Sequence, residues 1–169
     1  TNQDKTIIKQ SELDAANNIL NNAMQHDVVK TMLANATDKE VKLTWKHKGV
    51  DFKGFADMVT TFEGKQCVVD IKTTNDAGNR FYRDLYYNDY KMQLAMYQEQ
   101  FSKECDAYII AIETTSPFNV QVYKLDESLL FKGWMDYDHY TQKFTEWNGK
   151  PQGYSNSIIE VATEIEEII

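Results

Sequence analysis

Two aspartates and a lysine in adjacent predicted strands form a pattern that suits metal-assisted chemistry. Asp57 follows Gly-Phe-Ala, and Asp70 and Lys72 belong to the segment Val-Val-Asp-Ile-Lys-Thr. Side chains alternate along a strand, so Asp70 and Lys72 share one face. Two neighbouring carboxylates repel each other unless a cation lies between them. A divalent metal, with the lysine completing the neutralisation, would satisfy this arrangement.

The turn between the two strands decides whether the aspartates meet. If Glu63 and Gly64 form a two-residue hairpin turn, counting back along both strands places Asp57 directly opposite Asp70. Opposed Cβ atoms in antiparallel pairs lie about 4.5–5.5 Å apart. Glutamate is a poor residue for the positive φ of such a turn, so a bulge at Gly64 is the alternative. A bulge would shift the pairing by one residue and separate the carboxylates.

An Asp-x-Lys triplet also has a purely structural explanation, because exposed strand faces often carry charges of both signs. Two features favour a functional explanation. The segment Cys-Val-Val before Asp70, with Ile71 after it, gives the strand an apolar opposite face. An acid at the matching position of the preceding strand supplies a second ligand.

The surrounding elements predict a mixed sheet flanked by helices, in a single domain that spans residues 1–169. Ser11 is the expected N-cap of the first helix, and the apolar run Ala107–Ile112 predicts a strand buried on both faces. Predicted strands cover residues 39–47, 50–62, 66–73, 107–112 and 118–125, and predicted helices cover 11–35, 88–103, 127–148 and 156–169, with a polar loop over 74–86. The order α-β-β-β-α-β-β-α is that of an α/β or α+β fold.

Composition excludes several classes of protein. No apolar run in the 169 residues approaches the roughly 18 that a membrane span needs, and the polar segment 1–10 is not a signal peptide. Cys67 and Cys105 are too few for a four-cysteine metal site and too far apart to suggest a disulfide framework, so we expect a reducing, cytoplasmic location. The motifs of phosphate-binding loops, serine hydrolases and zinc proteases are missing.

The distribution of charge matters more than the formal net charge of −8, which by itself counts against a nucleic-acid partner. The segment from Asp126 onward contains nine acidic residues and three lysines, whereas the segment Lys39–Lys53 contains five lysines and two acidic residues. This distribution also has a purely structural explanation, namely a solvated acidic C-terminal segment and ordinary surface lysines. Charge therefore permits a local anion-binding face without demonstrating one.

Three segments together resemble the PD-(D/E)xK nuclease superfamily: Gly-Phe-Ala-Asp, Val-Val-Asp-Ile-Lys-Thr-Thr, and Gln-Leu-Ala-Met-Tyr at 93–97. The likeness is closest to phage and prophage recombination exonucleases of the RecE and RecB-nuclease type, and it covers roughly residues 38–125. The proline of the superfamily name is absent, since Ala56 precedes Asp57. The resemblance implies a restriction-endonuclease-like core and a metal-dependent exonuclease that hydrolyses linear double-stranded DNA in phage-type recombination.

The resemblance assigns roles to the acidic strands. It implies that Asp57 and Asp70 bind Mg²⁺ or Mn²⁺ together with the backbone carbonyl of Ile71, and that Lys72 orients or helps to deprotonate the attacking water. A bound metal lowers the pKa of its water and stabilises charge on the phosphate. Hard oxygen ligands suit Mg²⁺, which usually keeps several waters.

Further residues have both functional and structural interpretations. Gln93 and Tyr97 lie one helical turn apart, and the resemblance implies that they face the active site. The alternative is an ordinary amphipathic helix with Leu94 and Met96 in its core stripe. Glu40, at the start of the first strand, resembles a glutamate of such exonucleases that would add a metal ligand, but a solvated strand-end charge explains it equally well.

The segment Arg80-Phe81-Tyr82-Arg83 contains both arginines of the chain. Arginine binds phosphate through two hydrogen bonds, and an aromatic ring can stack on a base. We therefore expect Arg80, Tyr82 and Arg83 to contact DNA, with an ordinary surface loop as the alternative.

One departure from the family supports a rival hypothesis. Many relatives carry a histidine at the metal site on an upstream helix, and the segment that bears it is not evident in this chain, where His26 is the one candidate. The rival is a catalytically inactive DNA-binding or assembly module of the same fold, and a purely structural protein is a third class. The family resemblance also implies a ring-shaped homo-oligomer and a single-strand annealing protein as partner.

Overall fold

The computed structural model describes residues 8–102, 104–147 and 149. The predicted last helix, over 156–169, lies outside this part of the chain. The described elements in chain order are α1 (Gln10–Gln25), α2 (Asp27–Ala34), β1 (Ala36–His47), β2 (Val50–Phe62), β3 (Lys65–Thr74), α3 (Asn79–Tyr87), α4 (Tyr90–Gln98), β4 (Asp106–Glu113), β5 (Val120–Leu125) and α5 (Glu127–Glu146).

The five strands form one mixed sheet in the order β1-β2-β3-β4-β5. Strands β3 and β4 are parallel, and the other neighbours are antiparallel. A parallel pair needs a long crossover, which α3 and α4 provide between β3 and β4. Strand β4 is buried along almost its whole length, as its apolar run predicts. The mixed sheet with flanking helices confirms the predicted fold class.

Alternate residues of the central strands belong to two separate cores. Val68 packs with side chains of α3, α4 and α5, on what we call the front face of the sheet. Val69 packs with Met32 and other side chains of α1 and α2, on the back face. Because side chains of a strand point to opposite faces in turn, Asp70 and Lys72 lie on the same side as Val68. The front face therefore carries the candidate chemistry.

The turn between β2 and β3 has the geometry that the sequence argument required. Glu63 and Gly64 both have positive φ, at 51° and 78°, which is the signature of a two-residue type I′ turn. Phe62 is opposite Lys65, and the pairing continues without a shift. The alternative of a bulge at Gly64 is therefore wrong.

The first predicted helix is divided in two. His26 has an extended backbone, with φ −81° and ψ 109°, between α1 and α2. This break turns α2 so that Met32 is fully buried against the sheet. Ser11 is not the N-cap, because the helix begins one residue earlier. The backbone N–H of Lys9 donates a hydrogen bond to Glu12 at 2.8 Å and so fixes that end.

Part of the predicted loop over 74–86 is helix α3. Its residues Phe81 and Leu85, one turn apart, are both buried in the front core, so burial of an amphipathic face stabilises a helix where the sequence analysis predicts a loop. Helix α4 is shorter than the predicted helix over 88–103. Strand β5 begins after Phe118, whose φ of 58° is incompatible with a regular strand.

Both cysteines lie in the interior of the fold. Cys67 and Cys105 are buried free thiols, and burial raises the pKa of Cys105 to about 11. Within the described ranges, no helix combines the length and the apolar character required to cross a bilayer.

A buried glutamate at the end of β4 connects two loops. Glu113 accepts hydrogen bonds from the backbone N–H groups of Ala77, at 3.1 Å, and Asn119, at 3.0 Å. Burial raises the pKa of this carboxyl, but the two backbone donors outweigh it and hold the pKa below the ordinary glutamate value. The ionised form is therefore the form that stabilises the fold.

Acidification should remove the stabilisation that the ionised Glu113 side chain provides. A depressed folded-state pKa stabilises the protein above the unfolded-state pKa of about 4.3 and loses that effect as pH falls through the folded value. We expect Glu113→Gln to lower the free energy of unfolding at pH 7 by about 1–3 kcal/mol, since one N–H loses its acceptor. Melting temperatures measured from pH 7 to pH 3 should converge for the two proteins at the acid end. Parallel curves would contradict this, and the exposed Glu127→Gln is the control.

Candidate active site

The acidic pair lies at a fork where β2 and β3 stop pairing. The pairing ends with Met58 opposite Val69, and Asp57 and Asp70 are the next residues on the two strands. Beyond that point the backbone N–H of Ile71 donates a 2.6 Å hydrogen bond to Oδ2 of Asp57. A side-chain carboxylate thus takes the place of a backbone acceptor, and the fork opens beside the two acids.

Strand β2 changes face at Asp57. Ala56 packs in the front core and Met58 in the back core, although residues two apart normally share a face. On the opposing strand β1, Glu40 has a φ of 51°, so both strands are irregular at this level. The irregularity brings Asp57 close enough for its negative charge to act on Asp70.

Asp70 is a buried carboxylate with incomplete compensation. Only 2% of the residue is exposed. Its Oδ1 accepts a 3.1 Å hydrogen bond from Nε2 of Gln93, and its Oδ2 lies 2.7 Å from Nζ of Lys72. Across the residues that the structure describes, however, nothing gives Oδ2 a hydrogen bond of good geometry. This oxygen is thus compensated by the charge of one ammonium group and by no well-aligned hydrogen bond.

The raised pKa of Asp70 also indicates that its negative charge is incompletely compensated. Burial raises the pKa of its carboxyl, the Lys72 ammonium lowers it, and the charge of Asp57 raises it again, with a net increase over the ordinary value. Burying a charge disfavours the ionised form unless opposite charge is near. A bound cation between the two acids would supply that charge.

Helix α4 provides the rest of the site. Gln93 accepts a 3.0 Å hydrogen bond from Nζ of Lys72 and donates to the hydroxyl of Tyr97 at 3.3 Å. The lysine ammonium also lies 5.0 Å from the ring centroid of Tyr90, within reach of a cation–π interaction. The sequence analysis missed Tyr90. Its position three residues before Gln93, hence on the same helical face, is the signal that could have found it.

Two glycines allow α4 to approach closely. A Cβ on Gly54 of β2 would lie 2.6 Å from Cε1 of Tyr97, and a Cβ on Gly133 of α5 would lie 2.2 Å from the backbone oxygen of Lys91. Both distances are far below normal carbon contacts. The position of Gln93 and Tyr97 over the fork therefore depends on the absence of these two side chains.

The predicted DNA-contacting residues lie on α3 and are dispersed. Arg80 borders a surface pocket of about 300 Å³ with Thr73 and Thr74, just past Lys72 on β3. Tyr82 lies instead near Tyr86, with their hydroxyls 3.3 Å apart. The side chains of Arg80, Tyr82 and Arg83 are exposed. The structure thus brings Arg80, but not Tyr82, next to β3.

The donors at the fork fit a hard divalent cation. In the described part of the chain, no three His, Cys, Asp or Glu side chains form a ready metal site. Asp57 and Asp70 nevertheless offer two carboxylates, and Mg²⁺ usually keeps several waters. Ile71, whose carbonyl is the third predicted ligand, follows Asp70 and donates its N–H to Asp57. Glu40 is exposed on β1, and its role as a further ligand stays a prediction.

The candidate histidine lies at the junction of α1 and α2. Nδ1 of His26 is buried, and no described residue forms a hydrogen bond with it. Both helices cover the back face, whereas Lys72 and Gln93 lie on the front face. Among the described residues, the His26 side chain makes no hydrogen bond or ion pair with Asp57, Asp70 or Lys72.

Comparison with known families identifies the family of the chain. The profile of the family DUF3799, described as a PDDEXK-like domain of unknown function, matches residues 1–152. No curated protein sequence shows significant similarity to the chain.

Comparison with solved structures supports the fold. A crystal structure from Eubacterium rectale, described as a "putative exonuclease", has a TM-score of 0.65 and 16% identity, and the match covers 81% of this chain and 54% of that chain. This chain therefore spans about half the length of that protein. The structure of SSO0001 has a TM-score of 0.41 and 23% identity, with 78% of this chain and 61% of that chain covered.

Proposed function

Because the chain belongs to the PDDEXK-like family DUF3799, we propose that its fork is the active site of a metal-dependent nuclease that hydrolyses DNA phosphodiester bonds. Membership of the family confirms the superfamily predicted from the motifs. The observation that carries the proposal is the pair of acids at the fork. Asp57 is fixed by the N–H of Ile71, and buried Asp70 is paired with Lys72 at 2.7 Å.

In this proposal Asp57, Asp70 and the carbonyl of Ile71 hold Mg²⁺ or Mn²⁺. The metal supplies an activated water and stabilises charge on the phosphate. Lys72 offers a positive charge toward the anion that develops on the phosphate, in a site that is mostly shielded from water. Its side chain is 22% exposed, so it reaches the surface where substrate arrives.

Gln93 acts as a positioning residue. It accepts from Lys72 and donates to Asp70, so one side-chain amide holds the lysine and the carboxylate at fixed positions. Tyr97 holds the amide in turn. A fixed arrangement is what electrostatic stabilisation of a transition state requires, because no reorganisation is then needed during the reaction.

The finer assignment is an exonuclease on linear double-stranded DNA, supported by the motif resemblance. Arg80 and Arg83 would bind phosphates and Tyr82 would contact a base. A ring-shaped homo-oligomer, a single-strand annealing partner, a role in phage-type recombination and a cytoplasmic location belong to the same proposal. Incubation of equal masses of linear and circular duplex would test end dependence, since degradation of both at one rate would contradict an exonuclease.

The test of nuclease activity is cleavage of linear duplex DNA by metal-stripped protein in EDTA, Mg²⁺ and Mn²⁺. We expect cleavage only with the metals. Cleavage that is equal for wild type, Asp70→Ala and Lys72→Ala would reject the site.

The inactive DNA-binding module is the second candidate, and one observation favours it. Lys72 already neutralises part of the Asp70 charge, as a substitute for a metal would. Calorimetric titration with Mn²⁺ separates the two candidates. A nuclease should bind Mn²⁺ in a manner that depends on Asp57 and Asp70, whereas the inactive module should show no such binding and should leave DNA intact.

Gly54→Ala should weaken catalysis without touching a catalytic side chain. The added methyl would overlap the ring of Tyr97 and push its hydroxyl away from Gln93. Loss of such an outer contact typically costs 10–100-fold, so we expect kcat to fall by about tenfold or more. Tyr97→Phe, which removes the same hydroxyl, is the comparison. Unchanged kcat in Gly54→Ala would show that the Tyr97 contact is irrelevant.

A further inference from the structure

The ammonium of Lys72 has partners of three different kinds in the described part of the chain. Oδ2 of Asp70 lies 2.7 Å from its Nζ, Oε1 of Gln93 accepts a 3.0 Å hydrogen bond, and the ring centroid of Tyr90 lies 5.0 Å away. The negative face of an aromatic ring attracts a cation within about 6 Å. Tyr90 lies outside the segment 93–97 that carries the family resemblance, so its contact with the lysine is new information from the structure.

Tyr90 differs from Gln93 in what it contacts. Gln93 binds both Asp70 and Lys72, whereas Tyr90 reaches only the ammonium. Among the described residues, no hydrogen bond or ring contact joins Tyr90 to Asp57 or Asp70, and its hydroxyl forms no hydrogen bond. Loss of the ring should therefore release the ammonium and leave both carboxylates available to a metal.

A row of aromatic rings fixes Tyr90 in place. Its ring stacks on that of Phe81 of α3, with the centroids 5.8 Å and the planes 22° apart. Phe81 is 1% exposed and lies 5.4 Å from the ring of Tyr123, whose hydroxyl donates a 2.6 Å hydrogen bond to the carbonyl of Ala77. Aromatic pairs at these separations stabilise each other beyond the area they bury. The ring beside Lys72 is thus held by the front core of the protein.

The backbone before α4 brings Tyr90 to this row. Asp89 has a φ of 54° and lies between the end of α3 at Tyr87 and the start of α4 at Tyr90. Aspartate is one of the few residues that adopt this left-handed conformation routinely. The short connection places the first turn of α4 beside α3, so Tyr90 contacts both Phe81 and Lys72.

A lysine in a catalytic site needs such contacts because its side chain is flexible. The ammonium is a strongly hydrated charge at the end of a four-carbon chain, and 22% of the Lys72 side chain is exposed to water. Asp70 and Gln93 attract the ammonium into the fork, and the ring of Tyr90 occupies space into which it would otherwise move. A charge stabilises a transition state most effectively when it is already in position.

We propose that Tyr90 is a positioning residue, which holds the Lys72 ammonium at the fork through the face of its ring. This proposal rests on the proposed nuclease function and adds a residue to the machinery of that site. The ring transfers no proton and binds no metal, so it acts only through the lysine. An aromatic ring without the hydroxyl therefore suffices, whereas an aliphatic side chain does not.

The kinetic test compares Tyr90→Phe, which keeps the ring, with Tyr90→Leu, which keeps only apolar volume. On linear duplex in Mg²⁺ we expect Tyr90→Leu to lower kcat by about tenfold, which equals about 1.4 kcal/mol and lies within the range of a cation–π contact, with KM nearly unchanged. Tyr90→Phe should restore most of kcat. Mn²⁺ affinity, measured by calorimetry, should stay at the wild-type value in both. A wild-type kcat in Tyr90→Leu, or an equal loss in both variants, would overturn the proposal.

A double variant distinguishes positioning of the lysine from a loss of stability. In Lys72→Met the ammonium is gone, so the addition of Tyr90→Leu should lower kcat no further. The same additional loss in both backgrounds would overturn the proposal. Tyr108→Leu is the matched control, because Nζ of Lys124 lies 5.6 Å from the ring centroid of Tyr108 on the back face. It should lower the melting temperature and leave kcat unchanged.

A spectroscopic measurement tests the contact independently of cleavage. In protein labelled with ¹³C-lysine, the signal of the Lys72 ε-methylene is assigned by its absence in Lys72→Met. We expect an upfield ring-current shift in wild type and Tyr90→Phe, and the ordinary lysine position in Tyr90→Leu. An ordinary position in wild type would overturn the proposal even when the protein cleaves DNA. The upfield shift in a wild type that cleaves nothing supports the placement of the ammonium by Tyr90 and rejects the nuclease function instead.

Discussion

Asp70→Asn is expected to abolish divalent-metal binding and DNA cleavage together. The amide keeps the size of the carboxylate and can still accept from Gln93, so the fold is preserved. Asparagine lacks the negative charge that would attract a bound cation. It also lacks the second carboxylate oxygen, Oδ2, which lies 2.7 Å from Nζ of Lys72. Removal of an outer-shell partner costs about 10–100-fold in metal affinity, and loss of a ligand should cost more. Titration calorimetry with Mn²⁺ and initial rates of DNA cleavage measure the two effects.

Lys72→Met should reduce DNA cleavage without abolishing the binding of divalent metal. Methionine retains the apolar part of the side chain but removes the ammonium, so both carboxylates remain available to a metal. We expect Mn²⁺ binding to persist and turnover to fall on the order of 10²–10³-fold, the magnitude typical of a lost charge-stabilising group. Turnover near the wild-type value in Lys72→Met would mean that the lysine serves only to neutralise Asp70.

A second ion pair of the same sheet provides the control. Asp106 and Lys124 lie 2.7 Å apart at the start of β4 and on β5, away from the fork. Asp106→Asn and Lys124→Met repeat the chemical changes at a site with no proposed role in catalysis. Metal binding and turnover should stay at wild-type values in both. A loss there comparable to that in the fork variants would mean that the substitutions act through stability.

Gly133→Ala should give the largest loss of stability among single-methyl substitutions. The added Cβ would lie 2.2 Å from the carbonyl oxygen and 2.5 Å from the carbonyl carbon of Lys91, so the backbones of α4 and α5 must separate. Overpacking typically costs about 1–3 kcal/mol, and a clash with backbone belongs at the upper end. Alanine regains about 1 kcal/mol of helix propensity. The net loss is about 2 kcal/mol.

Thermal unfolding measures this effect. For a chain of this length 1 kcal/mol corresponds to about 2–4 °C, so the melting temperature should fall by about 4–8 °C. Lys132→Ala, at the exposed neighbouring position of α5, is the control and should change it little. A rise in the melting temperature of Gly133→Ala would mean that helix propensity dominates and that the two helices separate easily.

The register of the acidic strands was predictable because two local rules fix it. A two-residue turn determines which residues are opposite, and the alternation of side chains determines which share a face. Both rules apply to the hairpin around Glu63 and Gly64, and the pairing of Met58 with Val69 agrees. The feature that favoured the alternative of a bulge was a glutamate at a position of positive φ. The structure tolerates it because the regular pairing on both sides specifies the turn.

Other features depend on tertiary contacts that no local rule contains. The change of face at Asp57 has no signature in the alternation of β2, since Ala56 and Met58 are both apolar and both buried. Helix α3 is different, because the spacing of Phe81 and Leu85 by one helical turn is a local signal that the sequence analysis missed. The hydrogen bonds that link Gln93 to both Asp70 and Lys72 require a distance between helix and sheet that depends on Gly54.

The equal arms of the hairpin have a consequence for length variation. Five residues separate each acid from the turn, Met58–Phe62 on one strand and Lys65–Val69 on the other. Adding one residue to only one of the two strands would shift the register by one residue. One of the two acids would then lie on the opposite face of the sheet. Extra residues at the tip would leave both arms intact. Gaps in an alignment of homologues should therefore fall at Glu63 and Gly64, and a peptide tag inserted there should spare the fork.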